Sequence, residues 1–384
     1  MHICVVSPDY PTSKTIDFVF VDQLCRALAS RGEKVTVIAP QTLTKCLVRH
    51  VPIAKFKHEI KLANGKSFTL LRPKYASAGV IGLKLSWLLG GGYTKAVERA
   101  FKTIKEPIDV CYGHFWQSVK AVYPLAKHKN IPLIASSGEE QVTQARIGYT
   151  EDDIESIGNY LSGVISVSTN NRDECAAIGL IDEKKSCVIP NAIDNNLFYP
   201  RDKQECHHRL GINKDDFLVA YVGQFTERKG TLRLDNALKK INDNSIKAFF
   251  IGKGPEDPTY DGIIYKGQAP HHLLPEYLSA ADVFVLPTRN EGCCNAIIEA
   301  LACGLPVISS NRAFNWDVLD ETNSVLIDPD DETQVADAIR TLKENPGYKK
   351  RLSEGALQKA QSLTLKQRAE KIVTFIEEQI NKES

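Results

Sequence analysis

Short apolar runs rich in Val and Ile alternate with helical-period stretches along almost the whole chain. MHICVVSP at 1–8 has the continuous apolar character of a strand buried on both faces. Residues 18–31, FVFVDQLCRALASR, repeat at helical spacing, and Gly32 suits a left-handed helix end. KVTVIAP at 34–40 is the next strand. The alternation continues through DVCYGHF, a helix over 117–128, IPLIASS, GVISVS, a helix over 169–178 and the strand-like CVIPNAI at 187–193. A second alternation starts after Pro200. Its strands are DFLVAYVGQF, IKAFFIGKG, GIIYKG, DVFVLPT and LPVISS. Its helices are TLRLDNALKKI, LLPEYLSAA, NAIIEALACG, a short NWDVLDE and TQVADAIRTLKE. Residues 364–380 form a closing amphipathic helix, with Ala369, Ile372, Val373, Ile376 and Ile380 on one stripe able to cover either half.

Strands alternating with helices predict parallel sheets covered by helices on both faces. Two such runs in 384 residues predict an α/β chain of two Rossmann-like domains facing a central cleft. The limits expected are 1–197 and 198–363, with 364–384 free to return to the first domain. Composition narrows the class. A hydrophobic fraction of 43% with 25% charged residues excludes wholesale disorder. Lys plus Arg number 48 against 47 Asp plus Glu, a net charge of +1, which excludes a generalist nucleic-acid binder. No apolar run reaches the ~20 residues that span a bilayer, and the N-terminus reads as a strand rather than a secretion signal. A cytoplasmic location is the expectation. The ten cysteines include no C-x-x-C pair and read as buried free thiols. Cys206-His207-His208 has no further ligand at metal spacing and reads as surface helix.

The densest chemistry lies in PTRNEGCCNAIIEALACGLPVI, residues 287–308. A strand ends at Pro287, a loop carries Glu291 and Gly292, and a helix begins near Asn295, which suits an N-cap. Ligands of doubly wound sheets bind outside the carboxyl ends of the strands, where this loop lies. A helix N-terminus there offers N–H groups and about half a positive charge to a diphosphate. Glu299 stands one turn along on the same face, in a mostly apolar helix, where an ionised carboxylate needs a partner such as a ribose hydroxyl pair. Glu291 is placed to accept from sugar hydroxyls.

With those residues in view, the chain resembles the glycosyltransferases of family 4, retaining enzymes of the GT-B fold that use nucleotide-sugar donors. The likeness runs the whole length: the YP-containing first loop, VIPNAID, YVGQFTERKG, FFIGKGP, DVFVLPT and the E-x7-E block closed by EALACGLPV. It implies a hexosyltransferase without metal or other cofactor, whose co-substrate is UDP- or GDP-linked. Lys229 matches the lysine that binds the donor diphosphate. Gln224, after Gly223, stands where the family has an arginine, and Arg228 is the candidate to replace that charge. Gly252 and Gly254 match a glycine turn beside the donor, and Gly267 and Gln268 fall where the base is held. The resemblance implies that Glu291 and the backbone of Gly292, Cys293, Cys294 and Asn295 touch the donor sugar, while Glu299 holds the ribose. His114 matches a histidine near donor sugar or acceptor, able to hydrogen-bond a hydroxyl or shuttle a proton. On the acceptor side, Asp17 stands where relatives often have Gly, and Ser137 replaces a His before Gly138, with Glu139 and Glu140 following. The mechanism implied is front-face displacement with retention, the leaving diphosphate stabilised by Lys229 and a helix N-terminus.

Charge is uneven along the chain. Between Lys45 and Lys105 thirteen Lys or Arg face two Glu, and the segment includes the apolar VIGLKLSWLLGGGY. That combination suits peripheral contact with an anionic membrane or an anionic lipid-linked acceptor. The expected function is therefore sugar transfer to a glycan or lipid-linked acceptor in cell-surface polysaccharide or glycolipid synthesis. Three departures together, at Asp17, Ser137 and Gln224, keep open an inactive sugar-nucleotide-binding partner subunit. A nucleotide-sugar epimerase or phosphorylase shares the architecture. A dehydrogenase would need G-x-G-x-x-G after the first strand, which this chain lacks.

Overall fold

The computed structural model describes residues 1–12, 18–48, 50–76, 91–139, 142, 148–213 and 215–383. The chain divides into two compact units, Met1–Ile189 with Leu365–Ser384, and Pro190–Thr364. The limit at 197/198 expected from the sequence lies inside the second unit.

The first unit begins with β1 (His2–Val6), α1 (Val19–Arg31), β2 (Lys34–Ile38), β3 (Gln41–Thr42), α2 (Leu43–Val48), β4 (Lys57–Lys61), β5 (Ser67–Leu71) and β6 (Lys74–Tyr75). It continues through α3 (Gly92–Phe101), β7 (Val110–His114), α4 (Trp116–Lys129), β8 (Leu133–Ser137), α5 (Glu151–Tyr160), β9 (Gly163–Ser166), α6 (Thr169–Ala177) and β10 (Ser186–Val188). Among the described residues the main sheet runs β10-β9-β8-β7-β1-β2-β5-β4. Neighbours are parallel except β4 against β5. β1, β7, β8 and β9 are buried along their whole length, as parallel strands covered on both faces must be.

The second unit runs α7 (Lys203–Leu210), β11 (Phe217–Val222), α8 (Thr231–Ile241), β12 (Ile246–Ile251), β13 (Ile263–Gly267) and α9 (Leu274–Ala280). There follow β14 (Val283–Leu286), α10 (Asn295–Ala302), β15 (Val307–Ser310), β16 (Ser324–Ile327), α11 (Glu332–Glu344) and α12 (Pro346–Gln361). Its sheet is parallel, in the order β13-β12-β11-β14-β15-β16. Numbered along this unit, that is the 3-2-1-4-5-6 order of dinucleotide folds, and it reverses between β11 and β14. In sheets of this order ligands bind at the carboxyl ends of the strands where the order reverses, here β11 and β14.

α13 (Leu365–Glu383) belongs to the first unit. Ala369, Ile372, Val373 and Ile376 of its expected stripe are buried in one cluster with Val21, Leu24 and Leu28 of α1. Among the described residues no helix is long and apolar enough to cross a membrane.

Several local expectations change. NWDVLDE is not a helix; a single 3-10 turn covers Ala313–Asn315, where the Asn315 side chain bonds to Ser310 and Ser309 instead of continuing helically. CVIPNAI is split: β10 ends at Val188, and Ile193 bridges to Thr364. The Cys206-His207-His208 segment is helical, but Cys206 and His207 point inward, and His207 Nε2 lies 2.9 Å from the Ala280 carbonyl. The cysteines in the structure are free, eight of them buried.

Candidate functional site

At the second unit's reversal, the loop after β11 carries Lys229 and the loop after β14 carries Glu291. Lys229 Nζ lies 2.5 Å from Glu291 Oε1, and Arg228 Nη1 lies 3.1 Å from the same oxygen. The Thr288 hydroxyl donates to it at 2.9 Å. Glu291 is only 6% exposed. A carboxylate so buried stays charged only if paired, and two cations with a hydroxyl supply that pairing. Burial opposes the charge on Lys229, but Cys294 and Glu291 outweigh it and hold the ammonium above its ordinary range.

One glycine makes this approach possible. Gly230 takes φ 77 at the start of α8, and a Cβ there would lie 2.3 Å from the Pro287 carbonyl oxygen. No other residue fits where the β11 loop meets the end of β14. The Arg289 N–H donates to the Arg228 carbonyl at 2.9 Å, tying the two loops together. Gly252 has a similar reason to be glycine, since its Cβ would fall 1.8 Å from the Gly223 carbonyl oxygen. Gly254 abuts Phe225, so Gly223, Gly252 and Gly254 pack the loops after β11 and β12 against each other. The Gly267 carbonyl accepts from the Gly252 N–H at 2.9 Å, and Gln268 is exposed beyond it. Gln224 is also exposed, while its carbonyl accepts from the Tyr221 hydroxyl at 2.8 Å.

Asn295 is not the N-cap. Cys294 holds that position, and the Asn295 Oδ1 instead accepts from Asn191 Nδ2 at 2.9 Å. Asn191 also donates to the Cys293 carbonyl at 3.1 Å, so it fastens the Glu291 loop from a segment far away in sequence. Gly292 and Cys294 are buried, and burial pushes the Cys294 thiol up to about 11. Glu299 Oε1 lies 2.9 Å from His271 Nε2. The hydrogen bond to Glu299 raises the His271 pKa despite burial. The sequence pointed to neither Asn191 nor His271. Asn191 sits in the VIPNAID segment, and His271 only three residues past Gln268, which is the available signal.

In the first unit, His114 ends β7, next to β1 where that sheet's order reverses. It is 4% exposed, and its Nδ1 has no hydrogen-bond partner among the described residues. Burial first, then the charge of Arg368, pushes its pKa down to about 3, so the ring is neutral. Phe20 and Phe115 pack on it at 5.3 and 4.7 Å between centroids. Phe115 takes φ 67 and ψ 152, a backbone region that costs a non-glycine residue about 1–3 kcal/mol. Ser137 and Glu139 turn inward: Glu139 accepts from the Trp116 N–H at 2.7 Å and the Ser137 hydroxyl at 2.9 Å. Glu139 thereby caps α4, and Gly138 N–H donates to it as well. Asp17 and Glu140 lie outside the described residues.

Residues 18–197 match the model of the Glycosyltransferase Family 4 domain, and residues 202–359 that of Glycosyl transferases group 1. The Bacillus subtilis (strain 168) protein named as the teichuronic acid biosynthesis glycosyltransferase TuaC is 27% identical over 94% of each chain. A D-inositol 3-phosphate glycosyltransferase of Stackebrandtia nassauensis is 25% identical over 90% of this chain and 83% of that one. Among solved structures, sucrose-phosphate synthase of Thermosynechococcus elongatus superposes over 100% of both chains with a TM-score of 0.79 at 21% identity. Anabaena HepE, solved with UDP and glucose, covers 98% of this chain and 100% of its own with a TM-score of 0.71 at 16% identity. At those identities the two structures speak for the fold alone. With adjoining domain models along nearly its whole length and full-length glycosyltransferase relatives, the chain belongs to the family 4 glycosyltransferases of the GT-B fold.

Proposed function

We propose that the chain transfers a sugar from a nucleotide-sugar donor with retention, and that the second unit holds the donor. The observation that carries this is the buried Glu291 facing Lys229 and Arg228 at the sheet's reversal. A donor diphosphate entering there meets two cations and the N-terminus of α10. Its negative charge grows as the glycosidic bond breaks, so preorganised cations favour the transition state over the ground state. Glu291 orients the sugar through its hydroxyls, while Glu299 receives the ribose and shares its carboxylate with His271. Arg228 takes the place of the arginine that Gln224 does not supply. A metal-independent, UDP- or GDP-linked reaction is proposed because the side chains themselves carry the needed positive charge.

His114 serves as a neutral hydrogen-bonding group for a sugar hydroxyl, since its lowered pKa disfavours proton shuttling. Ser137, Gly138 and Glu139 act as positioning residues that set the start of α4 beside it. The acceptor class proposed is a glycan or lipid-linked intermediate of cell-surface polysaccharide or glycolipid synthesis. The name of the Bacillus subtilis relative, a teichuronic acid biosynthesis glycosyltransferase, supports a cell-surface polysaccharide acceptor. The enzyme is proposed to be cytoplasmic, with peripheral contact to an anionic membrane through 45–105.

A thermal-shift panel of UDP, GDP, ADP, CMP and their sugar conjugates tests the donor assignment. One nucleotide family should raise the midpoint, by about 2.7 kcal/mol of stabilisation at a hundredfold excess over its dissociation constant. No shift with any of them overturns the reading. A shift without turnover in chelator-treated buffer, across an acceptor panel, would favour the inactive partner subunit.

A further inference from the structure

Asn295 opens α10 without capping it. Asparagine is among the preferred N-cap residues, yet Cys294 holds the cap and makes no side-chain cap hydrogen bond. The first four N–H groups of a helix lack partners within it, and a capping side chain satisfies one of them. The Cys294 thiol, a weak acceptor, stands beside the Ala296 and Ile297 N–H groups. The Asn295 side chain is held elsewhere. The Asn191 amide donates to its Oδ1 at 2.9 Å and to the Cys293 carbonyl at 3.1 Å. The Asn191 segment is itself anchored, because Ile193 is buried and its N–H donates to the Leu363 carbonyl at 2.8 Å. The helix end left open adjoins the charged cluster, since Lys229 and Glu291 both act on the Cys294 thiol.

We propose that Asn191 is a positioning residue for the donor: by holding Asn295 off its own helix, it keeps the first N–H groups of α10 open to the diphosphate. This role rests on the proposed function, in which the donor diphosphate meets this helix end. Asn191 itself touches no reacting atom. Released from Asn191, the Asn295 Oδ1 swings onto the Ile297 or Ile298 N–H, and the cap moves one residue along. A helix that caps itself gives up donors that an anion needs, whatever its own stability gains. A simple brace for the Glu291 loop, through the Cys293 carbonyl, would also require Asn191. Its loss would then harm binding equally with or without the Asn295 side chain. The two roles therefore part in a double-mutant cycle.

Nucleotide titration of the full chain tests it, with whichever of UDP, GDP, ADP and CMP raises the parent's thermal midpoint. Asn191→Ala should weaken that nucleotide about tenfold, as a newly formed cap competes with the anion. In an Asn295→Ala background, which has no cap to release, the same substitution should change affinity by less than about twofold. Thermal midpoints without nucleotide show whether each variant is folded. Asn191→Leu, which also lacks a donor, replaces Asn191→Ala if that variant is not. If the parent binds none of the four nucleotides, the donor reading falls and this role with it. If the parent binds and Asn191→Ala binds as tightly, this role alone falls. If the loss on Asn191→Ala is the same with and without the Asn295 side chain, Asn191 is a brace for the Glu291 loop and the proposal is overturned.

Discussion

Lys229, Arg228 and Glu291 form a cluster in which the anion and the cations already satisfy one another. On the proposed function a donor diphosphate draws Lys229 away from Glu291, so the two residues should fail in different ways. Lys229→Ala removes a cation from the leaving group and leaves Glu291 with Arg228 and the Thr288 hydroxyl. Turnover should fall about 100- to 1,000-fold, as for loss of a charge-stabilising donor, with weaker nucleotide binding. Glu291→Gln removes the competitor for Lys229, so UDP or GDP should bind as well as before or more tightly while turnover collapses. Single-turnover kinetics beside nucleotide titration separate the two, and equal loss of binding in both variants would refute the assigned roles. The sequence singled out Glu291 and Lys229, which the fold brings into contact, because each sits in a loop bounded by strongly patterned elements. It missed Asn191 and His271 because their partners, Asn295 and Glu299, lie far along the chain, where spacing carries no information. It made Asn295 the cap on propensity alone; the side chain went to Asn191, a partner only the fold supplies.

Elements were legible where burial on both faces wrote a continuous apolar run, as in β1, β7, β11 and β14. The hairpin β4–β5 went unassigned because KHEIK has one apolar residue, Ile60, on an edge that is half exposed. α12 went unassigned because only Leu352, Ala356 and Ala360 of its sixteen residues are buried, a narrow stripe in a polar sequence. The His271 turn and α10 meet through one ion pair, and this gives the second unit a pH signature. The folded pKa of His271 is raised, so its contribution is fully present below the ordinary value of 6.5 and is lost as pH rises through the raised value. A partly buried pair of this kind is worth about 1 kcal/mol, or about 2–4 °C in a unit of this size. The midpoint of the second unit should therefore drop by that amount between about pH 6 and about pH 9. His271→Gln should flatten that profile; a profile identical to the parent would show that the pair does not hold the turn.

The whole molecule is closed by its last described helix. Ala369, Ile372, Val373, Phe375 and Ile376 of α13 are buried against the first unit. Burying the four larger of these side chains contributes about 6–12 kcal/mol as an upper bound, comparable to the full stability of a domain. Deleting 365–384 should thus unfold the first unit while the second still binds nucleotide, which limited proteolysis with and without the nucleotide would reveal. Intact protection of residues 1–189 after the deletion would contradict it.

That helix also sets an order of events. The second unit is spliced into the first: the chain leaves at Ile189, completes Pro190–Thr364, and only then returns. The outgoing and returning segments meet inside the second unit, where the Ile193 N–H donates to the Leu363 carbonyl at 2.8 Å. On a ribosome the inserted unit is fully synthesised before α13 emerges, so it can fold while the face of α1 around Val21, Leu24 and Leu28 still waits for its cover. During that interval the growing chain presents bare apolar surface, and a chaperone that shields α1 until the final turn arrives would raise the yield of the enzyme without touching its chemistry.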